Sequence, residues 1–432
     1  MNIAEFLLPG MHKKIILPNG LRLILAPMKE SPSAAVLVLV GTGSKYETKE
    51  INGLSHFLEH MFFKGTKKRS NTLAVSEALD RVGGQYNAFT SQEMTGYWAK
   101  VAADKLDVAL DWVSDILLNS KFDAAEIERE KGVIIEEINM YYDMPMRYVG
   151  NLWEQLLYGD QPAGWDIAGS KEIVASFSRA QFVNYLKNQY RTENTIICLS
   201  GKLPDMKVIE KKIGQYFGKI NKGASNKKLA VFEKQEKPET LVHFKKTDQT
   251  HLCLGVRAYD LRHPDRFVLS VMAALLGGMM SSRLWISVRE KKGLAYYVRT
   301  VAEKYTDSGY LVTQAGVAND KVEEAIEAIL MEYRKIRDQK VTPGEIQKAK
   351  DYLIGHTLLG LETADELASW LGTQEVLQGK ILSLKQVFDK IKAVDATALQ
   401  RVARDIFQPA KLNLALIGPF KEKEKFEKLL KI

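Results

Sequence analysis

The chain has only two cysteines, Cys198 and Cys253, in 432 residues. Each lies in an apolar, strand-like run, which argues against a disulfide framework and fits a reducing compartment. Two cysteines are also too few for a metal centre built from cysteine alone. Histidine is scarce, at seven residues. No run of 18 uninterrupted apolar residues occurs, so no membrane span is expected. The short apolar piece Phe6-Leu7-Leu8 has no basic stretch ahead of it. No secretory leader is therefore expected, and the expected location is cytoplasmic. Charge of one sign is missing as a block: 61 basic residues are interspersed with 53 acidic ones, and the net charge is +8. Short runs such as Lys64-Gly-Thr-Lys-Lys-Arg69 read as solvated surface, and no nucleic-acid partner is expected.

What is present is a long globular chain, 46% hydrophobic and 26% charged. Its length suits two domains rather than one core. Lys14–Leu17 and Leu21–Leu25 flank Pro18-Asn19-Gly20 and predict a hairpin. Ala34–Val40 and Thr195–Ser200 read as buried strands. Gln85–Lys100 reads as two strands around a turn. Apolar periodicity predicts helices over Asn52–Phe63, Leu73–Val82, Lys105–Leu118 and Ala124–Tyr141. The second half repeats the first. Lys105-Leu-Asp-Val-Ala-Leu is answered by Lys321-Val-Glu-Glu-Ala-Ile, and Glu126-Ile-Glu-Arg-Glu-Lys by Glu345-Ile-Gln-Lys-Ala-Lys, at offsets of about 216 to 219. A period that long means two copies of a domain. The expectation is an α+β fold of two homologous domains, each a mainly antiparallel sheet with helices packed on one face. The expected boundaries are 1–218, a polar Lys-rich linker at 219–238, and 239–432.

The copies differ where chemistry is concerned. The first contains Ser55-His56-Phe57-Leu58-Glu59-His60-Met61. On a helix His56 and His60 lie one turn apart on one face, and Glu59 falls on that face too. Two imidazoles so placed suit zinc, and the carboxylate between them can reach the metal's water. By composition, a chance His-x-x-Glu-His has a likelihood of about one in a hundred in this chain. A third ligand must come from another element. The Ala124–Tyr141 helix offers Glu126, Glu128, Glu130, Glu136 and Glu137, and its periodicity favours Glu137, beside Ile127, Ile134 and Ile138. In the second copy the position matching Glu137 is His356, and Leu269–Arg283 contains neither His nor Glu.

Gly53-Leu-Ser-His-Phe-Leu-Glu-His-Met-Phe-Phe-Lys-Gly-Thr66 resembles the signature of the pitrilysin/insulinase superfamily of zinc peptidases, closest to its mitochondrial-processing-peptidase-like branch. The resemblance extends over essentially the whole chain, including Gly84–Ser91, Gly277–Leu284 and Val288–Tyr296. It implies a zinc endopeptidase with one Zn2+ per chain on His56, His60 and Glu137, and Glu59 as general base. It gives Glu130 a positioning role. It implies that peptide binds as an added strand along Asn87, Ala88, Phe89 and Thr90, and that Phe63 lines the pocket after the scissile bond. It makes Arg289 and Tyr296 a pair that holds substrate and helps stabilise the transition-state oxygen. Because one chain carries both motif and pair, a homodimer enclosing a chamber is expected, with each pair serving its partner's zinc. The alternative is a non-catalytic scaffold or heterodimer subunit, against which the complete motif argues.

Overall fold

The computed structural model describes residues 12–432. Phe6-Leu7-Leu8, and the leader judgement made from it, lie outside the described residues. The chain divides into two units. The first comprises the described chain up to Ile138 with Asp166–Leu229 and Leu358–Lys385; the second comprises Asn139–Trp165, Ala230–Thr357 and Gln386–Ile432.

The first unit is built on a six-stranded sheet ordered β1-β2-β6-β3-β5-β4. Its strands are β1 (Lys13–Ile16), β2 (Arg22–Pro27), β3 (Ser33–Val40), β4 (Gln85–Thr90), β5 (Thr95–Ala102) and β6 (Thr195–Gly201). All pairings are antiparallel except β2 with β6. The hairpin turn closes as its residues predict, with Gly20 N donating to Leu17 O at 2.8 Å and Leu21 N to Asn19 Oδ1 at 3.1 Å. Side chains alternate across β3. Val36, Val38 and Val40 face a core shared with α1 (Leu54–Met61), α2 (Thr72–Asp80), α3 (Leu106–Asn119) and α4 (Ala124–Tyr142). Leu37 and Leu39 face the other way, where they meet Leu367, Ala368 and Leu371 of the helix Ala364–Gln378.

The second unit repeats the plan with five strands, ordered β7-β11-β8-β10-β9. These are β7 (Glu239–Phe244), β8 (Gln249–Arg257), β9 (Ala295–Lys304), β10 (Gly309–Ala318) and β11 (Leu412–Gly418), and the one parallel pair is β7 with β11. One face carries the helices Arg266–Ala273, Val322–Asp338 and Ala396–Ile406. The other carries Val149, Leu152 and Trp153 of α5 (Pro145–Tyr158), packed on Cys253, Ala415 and Ile417.

The α+β class and the two mainly antiparallel sheets agree with the sequence reading. The one-face expectation describes only the larger core of each unit. Each sheet is also covered on its second face by a helix drawn from the other half of the chain. This is why both faces of β3, and of β11 in the second unit, are apolar. Among the described residues no helix is long and apolar enough to cross a membrane.

Candidate metal centre

α1 places the rings of His56 and His60 with centroids 4.7 Å apart. The opposite side of the helix is anchored in the core, where Phe57 packs edge-on against Phe182 at 4.9 Å and Phe177 at 5.9 Å. α4 brings Glu137 to the rings. Its Oε2 lies 3.6 Å from His56 Nε2 and 3.5 Å from His60 Nε2. Two donors held tetrahedrally at about 2.0–2.1 Å from zinc stand about 3.3 Å apart, so these separations fit a shared ion. His56, His60 and Glu137 are the donor group among the described residues that could hold a metal. Two imidazole nitrogens and one carboxylate oxygen match what zinc takes, and three ligands leave a coordination position open.

The electrostatics suit that use. Burial, helped by His60 and opposed by Glu137, pushes His56 down to about 4. Its imidazole is therefore neutral at pH 7 and keeps a lone pair for a cation. His60 Nδ1 lies 2.8 Å from Glu130 Oε1. An ionised carboxylate only accepts, so this bond puts the ring hydrogen on Nδ1 and turns the Nε2 lone pair toward Glu137. Burial raises the Glu130 carboxyl, but bonds from His60 and from Lys64, whose Nζ is 2.6 Å away, outweigh it and leave the group below its ordinary value. His56 has no equivalent support: its Nδ1 is buried without a hydrogen-bond partner among the described residues.

Glu59 shares the face of the two histidines. The Thr90 hydroxyl donates to its Oε2 at 2.6 Å, while Oε1 takes no hydrogen bond among the described residues. Burial raises the Glu59 pKa above the usual carboxylate range, with the Thr90 bond pulling the other way. A carboxylate made more basic in this manner is a better proton acceptor.

The remaining predicted residues fall as follows. Asn87, Ala88, Phe89 and Thr90 lie on β4, the outermost strand of its sheet, which pairs only with β5 among the described residues. Thr90, read from sequence only as part of that strand, commits its hydroxyl to Glu59. Phe63 is half-buried, its ring 5.8 Å from that of Trp112. In the second unit the Arg289 guanidinium sits 4.1 Å over the Trp285 ring and 5.8 Å from that of Tyr296. Tyr296 is 75% exposed. His356 is exposed and stacks on Tyr352 at 5.5 Å, and the counterpart of Glu137 joins no donor cluster among the described residues. Sequence reasoning missed the contacts of Lys64 and Trp285. Each was signalled only by i,i+4 spacing, from His60 and to Arg289 respectively.

The chain is similar to known proteins. The family described as Insulinase (Peptidase family M16) matches residues 22–170, and the one described as Peptidase M16 inactive domain matches residues 176–353. An uncharacterized zinc protease of Bacillus subtilis (strain 168) is 38% identical over 411 residues, covering 95% of this chain and 98% of its own. One from Mycobacterium leprae (strain TN) is 30% identical over 419 residues, covering 96% and 94%. Among solved structures, a protease from Helicobacter pylori superposes with a TM-score of 0.87 at 22% identity, covering 94% of this chain and 99% of that one. That likeness speaks to fold alone. Family and relatives together support a peptidase role and zinc as its metal. The chain belongs to the insulinase family of peptidases, peptidase family M16.

Proposed function

We propose that this chain is a zinc-dependent endopeptidase, of the processing-peptidase-like branch, that hydrolyses peptides or unfolded segments. The observation that carries the reading is the convergence of His56, His60 and Glu137 beside Glu59. These three residues hold one zinc per chain. Bound zinc supplies Lewis-acid polarisation of a carbonyl and a lowered pKa for water. Glu59 takes the proton of the attacking water through Oε1 and returns it to the leaving amine. Thr90 pins the other carboxylate oxygen, so the base keeps one orientation. Glu130 is a positioning residue that holds His60 in the useful tautomer. Substrate backbone pairs with the outer edge of β4 as an added strand, which gives grip with little sequence demand. Phe63 lines the pocket after the scissile bond. Arg289 and Tyr296 bind substrate and steady the developing negative oxygen. One chain carries both the donors and this pair, which supports a homodimeric chamber in which each pair serves the partner's metal.

The test is to incubate purified protein with a mixed peptide library, with and without a chelator. Internal cuts that disappear with chelator and return with zinc are expected. Glu59→Gln should retain zinc and lose about 10³-fold in turnover; near-normal hydrolysis by that variant would sink the assignment of the base. Sharing across the dimer is checked by mixing Glu59→Gln with an Arg289→Ala/Tyr296→Phe double variant. Mixed dimers should regain activity, and none regained would count against it.

A further inference from the structure

The two histidines of α1 are not supported equally. Glu130 orients the ring of His60, whereas the Nδ1 of His56 is buried with nothing to hold it among the described residues. The direction of His56 therefore depends on where the backbone of α1 begins and how it is turned. That beginning is unusual. The residue in the capping position is Gly53, at φ +97, which has no side chain to offer the open N–H groups of the first turn. A side chain could not be added there, because a Cβ would come within 2.5 Å of Ala168 O.

The missing acceptors come from Glu47, six residues earlier in the loop after β3. Its Oε1 accepts from Ser55 N at 2.6 Å, and its Oε2 from Gly53 N at 2.8 Å and Asn52 Nδ2 at 3.2 Å. Glu47 is 2% exposed. The Ser55 hydroxyl lies 2.7 Å from Tyr185 Oη, which lies 2.8 Å from Thr42 Oγ1. Asn52 Nδ2 also donates to Asp166 O at 3.0 Å. The residue just before His56 is thus tied through its N–H and its hydroxyl to two different elements, both inside the first unit. Burial raises the Glu47 pKa to about 7, and the bonds from Ser55, Gly53 and Asn52 pull the other way, toward the ionised carboxylate that a helix N-terminus also favours.

We infer that Glu47 is a positioning residue for the metal site: with Tyr185 and Ser55 it fixes the start of α1, and so aims His56, whose Nδ1 has no hydrogen-bond partner among the described residues, at His60 and Glu137. This rests on the zinc reading above. A cap that served stability alone would lower the melting temperature and leave the zinc affinity of the folded protein unchanged. A positioning residue moves that affinity.

The experiment measures the zinc dissociation constant of the full-length protein by competition with a chromophoric chelator, at a temperature where circular dichroism shows parent and variants folded. Glu47→Gln keeps the size of the side chain but turns an NH2 group toward N–H donors. It should raise the zinc Kd by about 10-fold or more, the scale of lost support around a metal ligand. Tyr185→Phe removes a single hydroxyl from the same network and should raise it in the same direction by a smaller factor. A folded Glu47→Gln protein whose zinc Kd stays within twofold of the parent overturns the inference. If Glu47→Gln does not fold, Tyr185→Phe decides by the same criterion. A parent protein that binds no zinc overturns the metal reading itself and this inference with it, a result distinct from equal binding by parent and variant.

Discussion

The helix that follows β3 and the helix that follows β8 occupy the same place in their units and do different work. In the first unit, α1 turns one face to the core and carries His56, Glu59 and His60 on the other. In the second, Arg266–Ala273 buries Val268, Leu269, Val271 and Met272, and the chain runs on into a wider turn at Ala274–Gly278 whose Leu275 and Leu276 are buried as well. Gly277 there passes so close to β9 that a Cβ would lie 2.4 Å from Thr300 Oγ1. The buried residues of this stretch of the second unit are apolar or glycine, and it carries neither His nor Glu. A shared fold therefore says little about chemistry; the difference lies in a few side chains placed on it.

The largest break in this comparison comes from the donors. His60→Ala should abolish tight zinc binding, while His356→Ala, at the position matching Glu137 in the other unit, should leave metal content unchanged. Metal analysis of the purified proteins decides, and loss of zinc from His356→Ala would mean the asymmetry has been misread. The covering helices sharpen the comparison at smaller scale. Gly372 in Ala364–Gln378 lies against the sheet, where a Cβ would meet Leu39 Cδ1 at 2.7 Å and Cys198 Sγ at 2.9 Å. Gly372→Leu should destabilise by about 1–3 kcal/mol through overpacking. Gly150, in the corresponding helix α5, has nothing within 4 Å of the same point. Gly150→Ala should stabilise by about 0.5–1 kcal/mol, since alanine loses less chain freedom in a helix. Urea denaturation of both variants tests the pair, and equal effects would remove the distinction.

Much of this was readable in the residues. The apolar runs of β3 and β6, the hairpin at Asn19-Gly20 and the long helix α4 follow from period and turn chemistry. The convergence of His56, His60 and Glu137 followed from i,i+4 spacing and from the apolar face that selected Glu137 over Glu136. Other features were out of reach for physical reasons. Leu367, Ala368 and Leu371 follow helical spacing, and nothing in that pattern names a sheet more than 150 residues away in sequence as its partner. α1 is shorter than its periodicity suggested, because Asn52 is extended and Gly53 left-handed, so the first turn starts late. Glu47 escaped notice because a cap is sought next to the helix it serves, and this one reaches in from an earlier loop.

The exchange of covering helices has a consequence for how such a molecule can be divided. A cut in the 219–238 segment falls between the two sheets in sequence, and by the internal repeat it is the natural seam. Yet residues 1–218 alone would leave Ile24, Leu37, Leu39 and Ile196 without Leu367 and Leu371, and residues 239–432 alone would leave Cys253, Ala415 and Ile417 without Leu152 and Trp153. Each fragment would present a bare apolar sheet to water, the kind of surface that drives aggregation. The duplicated halves are interlocked: a cut at the repeat seam strips each sheet of one of its two covers.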